Sequence, residues 1–425
     1  MTMDMLRRIL ARRVDGGMLG IPAFCTANPL ALRAVLGYCA RENLPALIEA
    51  TANQVNQFGG YTGMRPADFA AFVRDLAHKA GLPQGQLMLG GDHLGPLTWA
   101  REPEDSAMEK AEALVSLYAA AGFGKLHLDT SMRLGDDDPD APLPVAVVAR
   151  RGARLAKAAL EAWAGVAPPA FIIGSEVPIP GGTTEAEGLN PTTTGALHET
   201  MAVYRAAFEA EGLADAWPLV IAVVVQPGVE FSGNGILPYN AARAAPLMAA
   251  LAQYPGLVFE GHSTDYQPLP CLRSMAADGV ALLKVGPEVT FALREALFGL
   301  SFVEDALGAA EPSYFRHALD AAMLAEAAHW RGHYGGSESE QAVQRQYSLS
   351  DRCRYYMADP AVQAAQAQLL RNMDALSPPI GLLRQFLPLA ALELTGSSTL
   401  PPAREWVIRH IESAVLWRYF DAVRP

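Results

Sequence analysis

Gln86-Leu-Met-Leu-Gly-Gly-Asp-His-Leu-Gly-Pro96 is the stretch whose reading decides the fold. Its first half, Gln86–Gly90, is apolar without alternation, as expected of a short strand buried on both faces of a parallel sheet. It runs directly into GGDHLGP, Gly90 to Pro96, where an Asp and a His stand side by side and Gly95-Pro96 delays any helix. Chemistry-bearing residues at the C-terminal end of a buried strand suit a barrel that builds its functional face there.

Working outward, similar runs recur at Gly20–Phe24, Ala46–Ala50, Lys125–Leu128, Ala170–Gly174, Leu219–Val225, Leu257–Glu260 and Ala281–Val285. Ala-rich helical stretches separate them, including Glu104–Ala121, Val145–Ala164, Gly195–Glu211 and Asn240–Gln253. Pro66 suits a first helical position and Gly81 a stop. Eight strands alternating with helices predict an α/β protein with a (β/α)8 TIM barrel over residues 1–305. An open doubly wound sheet is disfavoured, because no GxGxxG follows the first strand. Beyond Leu300 only helical stretches recur, at Tyr314–His329, Ala361–Met373 and Glu405–Ala422, with a loop expected over Arg331–Gln341. Residues 306–425 therefore read as a helical C-terminal extension packed on the barrel or over its mouth.

The chain has 425 residues, 51% of them hydrophobic, enough for one large core. A net charge of −12 without a basic stripe argues against a nucleic-acid partner. Cys25, Cys39, Cys271 and Cys353 are far apart and form no CxxC pair, so a reducing cytosol is the simple reading. The N-terminal stretch reads as a basic amphipathic helix, and no apolar run approaches the ~20 residues of a membrane span. The expectation is a soluble, cytoplasmic, oligomeric protein.

The predicted strand ends collect polar groups. In order they are Cys25-Thr-Ala-Asn28, the loop with Glu49, Asn53 and Gln54, then Asp92 and His93, then His127, Asp129 and Ser131. After these come Glu176, Gln226, the set Glu260, His262, Ser263 and Asp265, and finally Lys284. Glu260 and His262 are two apart, so a strand points both to one side. Imidazole and carboxylate suit zinc or a similar divalent ion, while Asn, Gln and Thr suit sugar hydroxyls. Blander readings stand beside these. Asp92 could cap a helix, Asp129 could cap a turn through Ser131, His127 could be a packed core histidine, and Gln226 could bond only backbone. His78, His198, His317, His329, His333 and His410 read as surface or loop positions. The run YSLSDRCRYY, Tyr347 to Tyr356, is either helix packing or a cationic clamp of Arg352, Arg354 and Tyr355 reaching over the mouth.

At GGDHLGP, EATANQVNQFGGYTGM, HLDTSM, VVVQPGVEF, EGHSTDYQ, KVGPEVTFALREA and YSLSDRCRYY the chain closely resembles the Z-type subunit of class II D-tagatose-1,6-bisphosphate aldolase, the GatZ/KbaZ type. Members have also been labelled tagatose-6-phosphate kinases, but no GxxxxGK[ST] loop is present. The resemblance implies a class II aldolase-like barrel and a supporting role beside a separate catalytic Y-type subunit. Asp92-His93 matches the aldolases' acid/base Asp and metal-binding His, and Glu176 before Gly181-Gly182 matches their Glu before a Gly pair. Gln226 stands where they carry a ligand His, and Glu260-Gly-His-Ser where they carry His-Gly-Gly-Ser.

Cleaving a ketose between C3 and C4 needs a base for the C4 hydroxyl proton and a Lewis acid for the enediolate across C2 and C3. The expected catalytic residues are Asp92, Asp129 and Glu260. His93, Glu176, Gln226 and His262 are the expected ligands of a divalent metal, zinc first and manganese second. Asn28, Glu49, Asn53, Gln54, Ser131, Ser263, Asp265, Lys284, Arg352, Arg354 and Tyr355 are the expected contacts to a tagatose- or fructose-type sugar or sugar phosphate. Two roles stay open: support of a Y-type subunit, or an autonomous ketose lyase or C4-epimerase.

Overall fold

The computed structural model describes residues 2–175, 190–388 and 400–425. Eight parallel strands close a barrel in which each neighbours the next in the chain and the last pairs with the first. They are β1 (Ile21–Cys25), β2 (Ala46–Thr51), β3 (Leu87–Leu94), β4 (Lys125–Leu128), β5 (Ala170–Ile173), β6 (Val220–Val225), β7 (Val258–Gly261) and β8 (Val280–Val285). All eight predicted strands are present, with ends moved by a few residues. A two-stranded ribbon of Glu230–Phe231 and Ile236–Leu237 follows β6 and was not anticipated.

Two apolar layers hold the barrel. Its lower interior is filled by Ile21, Leu47, Met88, Ile172, Val224, Val258 and Leu282. The N-terminal helix Thr2–Arg12 closes that end with Leu6 and Leu10, each buried and each contributing about 1.5–3 kcal/mol by leaving water. A larger shell packs the outer strand faces against the surrounding helices. Among the described residues no helix is long and apolar enough to cross a membrane. All four cysteines carry free thiols.

After the helix Pro287–Leu307 the described residues form helices and turns without a strand, as expected. The loop predicted for 331–341 is shorter, because Ser337 and Glu340 form a capping box and start a helix at Glu338. The last helices, Ala403–Ile411 and Trp417–Val423, are joined by a π turn and packed on the barrel wall. There the Leu19 N–H donates to the Val423 carbonyl (2.8 Å), and Phe420 stacks on Tyr38 with centroids 5.4 Å apart. A short turn, Arg352–Tyr356, lies over the barrel mouth. Its anchor is a buried ion pair, Arg294 Nε to Asp351 Oδ1 at 2.9 Å, with Asp351 in the left-handed region at φ 45°.

Candidate active site

Adjacent strand residues normally face opposite ways, yet Asp92 and His93 both line the mouth cavity. The pairing of β3 with β4 slips between Gly91 and Leu94, and His93 sits at φ 47°. Such a bulge re-aims a side chain at the cost of local strain, of order 1–3 kcal/mol for a non-glycine residue in this region. Ser263 (φ 56°) and Tyr266 (φ 63°), past the end of β7, carry the same conformation. Two glycines make room. A Cβ on Gly90 would lie 2.6 Å from Glu49 Oε1, and one on Gly95 would meet the Asp129 carbonyl oxygen.

Three imidazoles meet at the centre. Ring centroids of His93, His127 and His262 lie 4.8–5.1 Å apart. Each has one nitrogen beside a carboxylate. His93 Nδ1 is 2.7 Å from Asp129 Oδ2, His262 Nε2 is 3.0 Å from Glu260 Oε1, and His127 Nδ1 is 3.1 Å from Asp92 Oδ1. His127 Nδ1 also accepts the His93 backbone N–H (3.2 Å). Among the described residues the second nitrogen of His127, Nε2, is buried without a hydrogen-bond partner, and no hydrogen bond is made by His93 Nε2 or His262 Nδ1. Asp92, His93, His127 and His262 each offer a ligand atom, and these atoms all lie within 4.8 Å of one another. Carboxylates on the outer nitrogens are the arrangement that orients imidazoles toward a metal.

Charge points the same way. Lys125 Nζ, fully buried, bridges Glu49 Oε1 (2.7 Å) and Glu260 Oε2 (2.5 Å). Lys284 contacts Glu49 and also Asp92 Oδ1 (2.9 Å). With Asp129 included, four buried carboxylates face two ammonium groups. A protonated His93 offsets one of the two surplus negative charges. Once His93 gives up its proton to act as a ligand both are uncompensated, and a divalent cation would supply that amount. The donors therefore fit a divalent metal: His93, His127 and His262, with Asp92 alongside.

The same fields set the proton affinities. Burial works against a charged His93, but Asp92 and Asp129 push its pKa up to about 9. Burial lowers that of His262 further than Glu260 restores it. Burial would raise the Asp92 and Glu260 carboxyls. Instead the surrounding imidazoles hold Asp92 well below the usual carboxylate range, and Lys125 and His262 hold Glu260 at about 2. Burial and Asp92 push the Cys25 thiol up, so it remains a thiol 3.3 Å from Asp92 Oδ2. If Asp129 orients His93 as this geometry indicates, Asp129→Asn will weaken metal binding by about 10–100-fold in a chelator competition. Unchanged affinity would show that Asp129 does not orient a ligand.

The other expected residues divide. Asn53, Gln54, Ser263, Asp265, Lys284, Arg354 and Tyr355 line the mouth cavity, while Arg352 lines an adjoining cleft. Glu49, Asp129 and Glu260 do not line the mouth cavity; they contact the lysines and imidazoles behind it. Ser131 Oγ donates to Asp129 Oδ1 (2.7 Å). Two expected residues have local partners, and one surface expectation needs correction. Asn28 caps a helix, its Oδ1 accepting the N–H groups of Leu30 and Ala31. Gln226 Oε1, the atom that would bind a metal, instead accepts the N–H groups of Gly228 and Val229. His410, expected at the surface, is buried with Nε2 2.8 Å from Glu295. Glu176 lies outside the described residues. His127, left open as a core histidine, joins the cluster. Lys125 was missed, although its spacing of two from His127 places both side chains on one side of β4.

A (β/α)8 barrel whose strand ends hold an imidazole–carboxylate cup with lysine counter-ions belongs to the class that handles small ligands at its C-terminal mouth. The model of the family described as D-tagatose-1,6-bisphosphate aldolase subunit GatZ/KbaZ-like matches residues 6–424, and the chain belongs to that family. A crystal structure described as a probable tagatose 6 phosphate kinase from Sinorhizobium meliloti 1021 is 44% identical. That match covers 95% of this chain and 100% of the other, with a TM-score of 0.86. A fructose-bisphosphate aldolase from Campylobacter jejuni matches at 14% identity over 89% of this chain and 95% of its own, TM-score 0.46. The fructuronate-tagaturonate epimerase UxaE from Cohnella laeviribosi matches at 14% over 96% and 82%, TM-score 0.47. The last two likenesses are too distant to bear on chemistry.

Proposed function

We propose that this chain binds a divalent metal and a tagatose- or fructose-type ketose, free or phosphorylated, in its own barrel mouth. There it breaks or remakes the C3–C4 bond by retro-aldol chemistry, within the cytoplasmic aldolase system of its family. The observation that carries the reading is the cup of His93, His127, His262 and Asp92, with one nitrogen of each ring beside a carboxylate and the other available. An imidazole-rich set favours zinc, with manganese next.

A metal held there would act as a Lewis acid on the C2 carbonyl and C3 hydroxyl oxygens. Asp92 is ionised and lines the cavity. Its Oδ1 is held by Lys284 and His127, while Oδ2 accepts only the weak S–H bond of Cys25 and is the oxygen that would take the C4 hydroxyl proton. The C4–O bond then becomes a carbonyl, the C3–C4 bond breaks, and its electron pair passes into the C2–C3 enediolate. Lys284 keeps Asp92 in place, and Asp129 and Glu260 keep the rings of His93 and His262 from turning. Recombination after the aldehyde rotates would invert C4, so one site supports both lyase and epimerase outcomes.

The family description as an aldolase subunit favours a second reading, support of a Y-type catalytic partner. The purified chain, loaded with Zn²⁺ or Mn²⁺, should be assayed alone on tagatose and fructose 1,6-bisphosphates and on the free sugars. Turnover by the chain alone is the expected result. Silence with every metal, followed by turnover only when a Y-type subunit is added, would replace this reading by the supporting one.

A further inference from the structure

We propose that Arg352 and Arg354, from the helical extension, form an anion subsite at the barrel rim that holds a phosphomonoester of the substrate. This inference rests on the ketose reading above and assigns the residues that would hold a phosphate of that substrate. It also departs from the usual barrel arrangement, in which phosphate sits at the helix N-terminus near the last strands.

Here that usual place is already filled. Asp265 Oδ1 accepts the N–H groups of Gly286 (3.0 Å) and Glu288 (2.8 Å), so a carboxylate of the chain itself occupies the start of the helix Pro287–Leu307. Glu288 stands in the first turn of that helix. It is held there by Arg418, by the Tyr419 hydroxyl (2.7 Å) and by the Tyr266 N–H (2.7 Å). A phosphate placed there would face two carboxylates.

The unmatched positive charge lies elsewhere. Among the described residues the buried arginines Arg151, Arg294 and Arg345 each contact a carboxylate. Arg352 is only 5% exposed and Arg354 is half-buried, yet neither has a carboxylate within 4.0 Å among the described residues. The nearby acid, Asp351, is committed to Arg294. Arg352 Nη2 meets the neutral acceptor His333 Nδ1 (3.0 Å), the side chain also reaches Tyr355, and its Nε is buried without a partner. Arg354 Nη1 donates to the Ser350 and Asp351 carbonyls, leaving Nη2 beside the Tyr355 hydroxyl at 3.2 Å. Burial resists ionisation of that hydroxyl, but Arg354 and Arg352 lower its pKa, which is the same demand for negative charge.

The geometry suits an elongated anionic sugar. Arg354 lines the mouth cavity with Asp92, His93 and His262, while Arg352 lines the adjoining cleft. Tyr61 and Tyr355, packed edge to face at 4.9 Å, border both. A sugar with its carbonyl at the imidazoles can thus reach a guanidinium with its far end. Guanidinium groups bind phosphate oxygens through paired N–H donors, which a lysine does not reproduce.

The test is equilibrium binding by calorimetry on the purified full chain, with tagatose 1,6-bisphosphate, tagatose and inorganic phosphate as separate probes. The wild type should bind the bisphosphate at least 100-fold tighter than tagatose. Arg352→Gln should cut that ratio at least tenfold and weaken inorganic phosphate, and Arg352→Lys should restore it only partly. Arg354→Gln should do the same if it folds. Because Arg354 also holds two carbonyls, Arg352→Gln, checked by thermal melting, is the deciding variant. Equal loss for bisphosphate and free sugar, or inorganic phosphate binding unaffected by Arg352→Gln, overturns the subsite. Phosphate binding that depends on Arg352 without any ketose turnover keeps the subsite and defeats the retro-aldol reading. Turnover without a phosphate preference does the reverse.

Discussion

Lys125→Met should destabilise the protein by about 3–5 kcal/mol, the cost of removing one partner from a buried ion pair. Lys125 is 0% exposed, as are both its partners, Glu49 and Glu260. Methionine fills most of the volume but leaves two buried carboxylates with less compensation. Lys284 still serves Glu49 and His262 still serves Glu260, so the loss falls short of two isolated charges. The midpoint of urea unfolding, at unchanged slope, reads the effect. A change below about 1 kcal/mol would mean that the lysine does not hold the site together. The sign with pH follows from Glu260. In the wild type burial opposes its ionisation, but Lys125 and His262 keep its pKa near 2, below the usual value, so this stability is present at neutral pH and lost in strong acid. Without Lys125 the carboxyl is easier to protonate, so the deficit of the variant should shrink as pH falls.

His93→Ala should release the metal, with at least a hundredfold weaker binding in chelator competition and loss of the ion on elemental analysis after dialysis. The replaced ring is the centre of the cup, beside both His127 and His262. Full occupancy of the variant would remove His93 from the ligand set. The wild type should also bind metal more tightly as pH rises. His93 holds its proton up to about pH 9, so below that pH a metal must displace it, and affinity should climb by up to about tenfold per pH unit. A flat profile between pH 6.5 and 8.5 would mean that no ligand proton is displaced.

The strand count was legible because strands buried on both faces are written as short apolar runs, and in a barrel every strand is of that kind. The same periodicity placed Glu260 and His262 together. It did not show the local partners of others. Gln226 looked like a ligand from its position, but its amide oxygen closes the loop to Gly228 and Val229. Asn28 looked like a sugar contact, but a helix starts one residue later and needs its cap. Lys125 looked unremarkable, because a lysine at a strand start ordinarily extends its charge to water. Only closure of the barrel surrounds it with Glu49 and Glu260.

The sequence by itself determined the repeating strand–helix pattern, the helical extension and the polar strand ends, because these follow from local periodicity and turn chemistry. Tertiary structure alone decided that Asp92 and His93 share one side through a bulge, and that His127 completes a ring of imidazoles. It also decided that Asp265 fills the start of the helix Pro287–Leu307, while Arg352 and Arg354 of the extension have no carboxylate partner among the described residues. Those outcomes depend on charges brought together from strands far apart in the chain, and electrostatic pairing across a closed barrel leaves no periodic mark in the sequence.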